Sequence, residues 1–238
     1  MNLLKQIPNL ITLGNLACGC MAVFYTSNNE LVLAAYLVAT GIFLDFFDGF
    51  FARILGVSGE FGKQLDSLAD MVTSGVAPGM LLFQLLSPQQ FDGFLADYQF
   101  LIPYVGLLFT LGAACRLAKF NIDERQSDSF IGVPTPAATI FVMSIPLILQ
   151  NESSESVQQL ITSGWFLIGT TVAFTYLMNA ELPLFALKFK NYSWKDNSLR
   201  YIFLAISIAI MALLKFTGIP LVILLYVLLS LITRAFKK

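Results

Sequence analysis

Residues 45–70 read DFFDGFFARILGVSGEFGKQLDSLAD. Four aspartates, Asp45, Asp48, Asp66 and Asp70, stand in a chain that is 57% hydrophobic and only 12% charged. Carboxylates are costly to keep beside membrane-type sequence, and ionisable groups in such segments mark functional sites by default. Where these four lie depends on the apolar runs on either side, and those runs decide the fold class.

A bilayer core needs roughly 20 apolar residues per helix. Runs of that length flank the quoted stretch and recur along all 238 residues. We read eight spans, over residues 9–26, 31–52, 67–87, 101–118, 133–149, 158–178, 199–215 and 218–235, separated by polar breaks such as SNNE (27–30) and NESSES (151–156). The fold class is therefore all-α: a polytopic membrane helical bundle forming one domain over residues 1–238. The first ten residues, MNLLKQIPNL, read as a short interfacial segment, with Pro8 as a punctuator near its end.

Charge placement tests this topology. With the N-terminus in the cytoplasm and spans alternating, Lys5, Arg53, Lys63, Arg116, Lys119, Arg125, Lys188, Lys190, Lys195, Arg200, Arg234, Lys237 and Lys238 fall inside. Of the 14 basic residues, that leaves only Lys215 outside. Such a bias follows the positive-inside rule and puts both termini in the cytoplasm. No cleavable signal, lipidation motif or organelle-targeting segment is read, so a prokaryotic cytoplasmic (inner) membrane is expected, and nothing points to nucleic acid.

The chain has 3 cysteines and no histidine. Cys18, Cys20 and Cys115 cannot build a four-ligand zinc site and read as small residues in helix packing. Without histidine, a general base has to be a carboxylate or, less naturally, a lysine, tyrosine or cysteine.

Helical period orients the acids. Asp45, Asp48 and Ala52 share one helix face, and so do Gly62, Asp66 and Asp70. The second span runs inward and the third runs outward, so all four acids lie near the cytoplasmic surface on facing stripes. Phe46, Phe47, Phe50, Phe51, Ile54 and Leu55 turn to lipid or other helices. Four close carboxylates repel one another, and a divalent cation removes that repulsion. Oxygen ligands favour Mg²⁺, Mn²⁺ or Ca²⁺, and two ions suit phosphoryl-type transfer. Gly49 and Ala52 leave room for close approach between the acids, Gly62 opens the face below Asp66, and Arg53 offers a phosphate fork. The competing reading, acids paired with Arg53 and Lys63 at the interface, suits one such acid better than four.

The spacing D-x2-D-G-x2-A-R-x8-G-x3-D-x3-D resembles the signature of the CDP-alcohol phosphatidyltransferase family. Asp45, Asp48, Gly49, Ala52, Arg53, Gly62, Asp66 and Asp70 fill it with every interval kept. The resemblance implies a helical membrane bundle with a six-helix core, a homodimer, and a pair of Mg²⁺ or Mn²⁺ ions held by the four aspartates. It implies Asp70 as general base, Arg53 near the diphosphate, and Gly49 and Ala52 beside the CDP group. An alcohol would attack the lipid-linked phosphorus of CDP-diacylglycerol and CMP would leave.

PNLITLGNLACG (8–19), DSLADMVTSGVAPG (66–79), CRLAKFN (115–121) and GVPTPAA (132–138) resemble the branch whose acceptor is L-serine. Eight spans also suit that branch. Arg116, Lys119 and Arg125 would offer a cation to the serine carboxylate, Arg116 and Lys119 being closest to the membrane; positive-inside anchoring is the competing reading. Asn9 and Thr12 could reach the nucleotide, against capping or helix contact. Ser67 joins them in this reading, and Thr73 and Ser74 could line the same cavity. Pro78 is expected to bend the third span, and Pro134 and Pro136 to start the fifth. The alternatives are the same chemistry on glycerol 3-phosphate or an inositol compound, a divalent-cation transporter, or a scaffold that has lost catalysis. Transport sites sit near the bilayer midplane, whereas these acids gather at one surface.

Overall fold

The computed structural model describes residues 6–57, 59–123, 131–185 and 193–235. Lys5, Arg125, Lys188, Lys190, Lys237 and Lys238 lie outside the described residues, as do the side chains of Lys195 and Arg234. The described residues are mostly helical, joined by turns and short loops, with an isolated bridge between Ile131 and Pro183.

Among the described residues nine α-helices follow in order: α1 (Ile7–Ser27), α2 (Leu31–Leu55), α3 (Glu60–Asp70), α4 (Ala77–Leu86), α5 (Leu107–Ile122), α6 (Thr135–Asn151), α7 (Glu155–Thr162), α8 (Gly164–Asn179) and α9 (Trp194–Ala235). Each expected span falls on helical structure. Five helices are long and apolar enough to cross a membrane, or six if the bent α7–α8 pair is one span, and α6 is a shorter apolar helix. The protein is a polytopic membrane bundle. Phe43, Phe46, Phe50 and Ile54 on α2 are exposed, as an apolar helix rim facing lipid requires.

The expected sixth span is not one straight helix. α7 and α8 meet at 57°, because Ser163 is extended between them. Gly164 packs directly on the Phe91 ring, where a Cβ would lie 2.4 Å from a ring carbon. The break expected near Lys215 is present: Lys215 has φ 49° and ψ −124°. The two arms of α9 run back past each other, since the rings of Phe203 and Tyr226, almost equally far from Lys215 in sequence, lie 5.8 Å apart.

The third span runs as one segment, Glu60–Leu86, with a π turn at Met71–Val76 just ahead of Pro78. Pro78 has no N–H to give to the Ser74 carbonyl. Thr139 on α6 supplies the missing donor at 2.7 Å, Thr110 on α5 donates to Gly75 O at 3.0 Å, and Thr73 donates to Asn15 O on α1 at 3.1 Å. Three hydroxyls thus stitch the wide turn to three neighbouring helices, immediately after Asp70. α6 forms the middle of the core, with Val142, Ile145 and Ile148 fully or nearly fully buried. The cysteines are free, but Cys20 and Cys115 are exposed, which corrects their assignment to helix packing.

Candidate functional site

α2 closes at Gly56, whose φ of 62° is the left-handed conformation that suits glycine. Val57 N–H bonds Ala52 O at 3.0 Å and Gly56 N–H bonds Arg53 O at 3.3 Å, a Schellman stop. α3 begins four residues later. Asp48 and Asp66 therefore stand about two turns from the reversal on opposite sides of it, and the two acidic stripes come level.

One carboxylate oxygen from each of Asp45, Asp48 and Asp66 lies within 4.8 Å of the others. Asp70 stands beside this group, its carboxyl meeting that of Asp45. The set fits a hard divalent cation: the donors are all oxygen, and closing them slightly gives the spacing of ligands about 2.0–2.1 Å from Mg²⁺. α1 braces the acids from behind. The Thr12 hydroxyl lies 2.5 Å from Asp48 Oδ2, and Asn15 Nδ2 lies 3.3 Å from Asp70 Oδ1.

Two cavities adjoin the acids. The first, about 230 Å³, has Asp48 and Asp66 in its wall together with Asn9, Thr12, Gly49, Ala52 and Gly62, and also Lys63. No atom lies within 4 Å of where a Gly49 Cβ would be, so that wall is open. The second, about 240 Å³, is lined by Asp45, Asp66 and Asp70 with Arg116, Phe120 and Thr135. Asp66 belongs to both. A third cavity of about 360 Å³ contains Arg116 and Lys119 with Asp123 and Glu181.

Most of the expected residues are thus brought together, and five are not placed as expected. Arg53 lines none of these cavities; its Nε donates to Gly49 O one turn back at 3.0 Å. Ser67 also lines none. Its hydroxyl accepts from Asn121 Nδ2 at 2.7 Å and donates to Lys63 O at 3.1 Å, while Lys63 Nζ donates to Asn121 O at 2.8 Å. That triangle ties α3 to the end of α5. Lys119 sits in the third cavity, away from the acids, whereas Arg116 is 4% exposed, stacks over the Phe120 ring at 5.3 Å and reaches both sides. Thr73 and Ser74 are fully buried in the π turn rather than lining the nucleotide-side cavity. Asn15, Phe120 and Asn121 were not singled out in the sequence, and Lys63 was read there only as an interfacial partner of the acids. Only Asn15 carried a signal, as a polar residue three places from Thr12 inside an apolar run.

Residues 5–177 match the family model described as CDP-alcohol phosphatidyltransferase. A Bacillus subtilis protein named CDP-diacylglycerol–serine O-phosphatidyltransferase is 37% identical over 139 residues, 57% of this chain and 72% of that one. A Helicobacter pylori protein of the same name is 39% identical over 146 residues, 60% of this chain and 57% of its own length. A Methanothermobacter thermautotrophicus protein named archaetidylserine synthase is 29% identical over 144 residues, 59% of this chain and 58% of its own.

Proposed function

We propose a function from one premise: this chain belongs to the CDP-alcohol phosphatidyltransferase family. The reaction is transfer of a phosphatidyl group from CDP-diacylglycerol to the hydroxyl of L-serine, giving phosphatidylserine and CMP. The observation that carries it is Asp66, which stands in the wall of two cavities of similar size. One cavity suits a nucleotide diphosphate and the other a small alcohol, and the acids lie where the two meet.

Asp45, Asp48 and Asp66 would hold the divalent metal, Mg²⁺ or Mn²⁺, singly or as a pair with Asp70. The bound cation would offset the charge of the diphosphate and of the leaving CMP. The first cavity takes the CDP group, with Gly49 and Ala52 allowing close approach and Lys63 offering a cation. The second takes serine, its carboxylate toward Arg116. Asp70 accepts the proton of the serine hydroxyl as the serine oxygen bonds to phosphorus; the bond from phosphorus to the CMP oxygen breaks, and CMP leaves. A single domain, a homodimer, and a cytoplasm-facing site in a bacterial inner membrane complete the reading. Serine is preferred to glycerol 3-phosphate or an inositol compound because three relatives above 35% identity carry serine in their names.

The test is CMP release by purified protein with CDP-diacylglycerol and Mg²⁺ or Mn²⁺, each alcohol offered separately. Release with serine alone, lost by about 100-fold or more in Asp70→Asn, is expected. Release with a different alcohol alone overturns the acceptor, and no release from folded protein overturns the reaction and returns the acids to a transport reading.

A further inference from the structure

Asn15 is fully buried one turn along α1 from Thr12. Its Nδ2 donates to Asp70 Oδ1 at 3.3 Å. Its backbone carbonyl accepts from Thr73 at 3.1 Å. Its Oδ1 is buried with no hydrogen-bond partner among the described residues, and it faces the bare Cα of Gly41, where a Cβ would lie 2.8 Å away. The amide is therefore wedged between α2 and the π turn with its NH₂ aimed at one oxygen of Asp70. Either protonation state of a carboxyl can accept from this NH₂, so what the contact fixes is the orientation of the Asp70 carboxyl.

Asp70 lies outside the three-acid group whose oxygens come within 4.8 Å of one another, although its carboxyl meets that of Asp45, and with Asp45 and Asp66 it lines the cavity that holds Arg116. We infer that Asn15 is a positioning residue: its NH₂ holds one oxygen of Asp70 and so fixes the angle at which that carboxyl faces the acceptor cavity. The inference rests on the function proposed above.

Leucine has the branched outline of asparagine and no donor, and it removes a buried, unpaired oxygen. Asn15→Leu deletes the unsatisfied oxygen, which does not itself cost stability, together with the donor to Asp70, whose loss the comparison reads. The experiment compares the two proteins in detergent by thermal unfolding, by Mn²⁺ binding without substrate, and by steady-state CMP release. Wild-type turnover comes first; if the wild type releases no CMP with any alcohol, the reaction itself falls and this inference with it.

With an active wild type, Asn15→Leu is expected to lose about 100-fold in kcat, the scale of a misplaced general base. The KM values for serine and CDP-diacylglycerol should stay within about threefold, with Mn²⁺ affinity and Tm not lowered. Retained kcat overturns the assignment. So does a fall in Mn²⁺ affinity parallel to the fall in kcat, which would make Asn15 a support of the metal site, and so does a lowered Tm that accounts for the lost activity. If Asn15→Leu does not fold, Asn15→Ala is read by the same three measurements.

Discussion

The Thr12 hydroxyl and the Asp48 carboxylate meet at 2.5 Å, one from α1 and the other from α2. Both residues are buried. Partners that orient a metal ligand from behind typically contribute 10–100-fold in metal affinity. Thr12→Val keeps the shape and removes the donor, so Mn²⁺ binding to the substrate-free protein should weaken by about tenfold. A Mn²⁺ titration followed by electron paramagnetic resonance checks this; unchanged affinity would show that Thr12 serves only the packing of α1.

Arg116 is almost fully buried, lies over Phe120, and is shared by the cavity beside the acids and the one beyond it. A guanidinium grips a carboxylate with two parallel N–H groups, which an ammonium cannot reproduce. Arg116→Lys should raise the KM for serine by about tenfold, from the loss of one charge-assisted hydrogen bond, and leave the KM for CDP-diacylglycerol unchanged. Equal shifts in both constants would mean that Arg116 supports the bundle rather than the acceptor.

Two glycines on α2 separate packing from binding. At Gly41 a Cβ would lie 2.7 Å from Thr73 Cγ2 and 2.8 Å from Asn15 Oδ1, whereas at Gly49 it would meet nothing within 4 Å. Gly41→Ala should cost about 1–3 kcal/mol through overpacking. Gly49→Ala should leave Tm unchanged and raise the KM for CDP-diacylglycerol by narrowing the nucleotide cavity. Thermal unfolding and kinetics on both variants decide the matter, and a stable Gly41→Ala protein would refute the tight approach of α1, α2 and the π turn.

Glu152 ties the α6–α7 connection to the reversal in α9. The Ser154 N–H and the Thr217 hydroxyl both donate to its carboxylate, in that order of effect, and hold its pKa below the usual 4.5. A lowered folded-state pKa stabilises the fold above the unfolded value and loses that contribution as pH falls through the folded value. Amide exchange at Ser154, normalised for the intrinsic pH dependence, should therefore speed up below about pH 4.5. Glu152→Gln should show no such step; an identical step in that variant would assign it to another group.

Much of the site was legible because a helix repeats every 3.6 residues: Asp45 and Asp48 had to share one stripe, and Asp66 and Asp70 another. The reversal at Lys215 was legible from a lone basic residue and Gly218 between two apolar runs. What period could not show is the partner of a side chain. Ser67 sits on the right helix for the nucleotide, yet its hydroxyl belongs to Asn121, 54 residues away. Arg53 has the right neighbours and bonds its own helix instead. Pro78 announced a disturbance, but its form, a π turn capped by Thr110 and Thr139, depends on helices that follow much later in the chain. The bend at Ser163 arises from the fit of Gly164 on Phe91, again a long-range contact.

Asp66 is the one residue common to the two cavities beside the acids. If nucleotide and alcohol occupy them as proposed, the incoming oxygen and the departing one approach phosphorus from different sides. The stereochemical outcome is then a single displacement with inversion at phosphorus. A donor made chiral at that phosphorus would report it, and retention would instead mean a covalent phosphatidyl-enzyme.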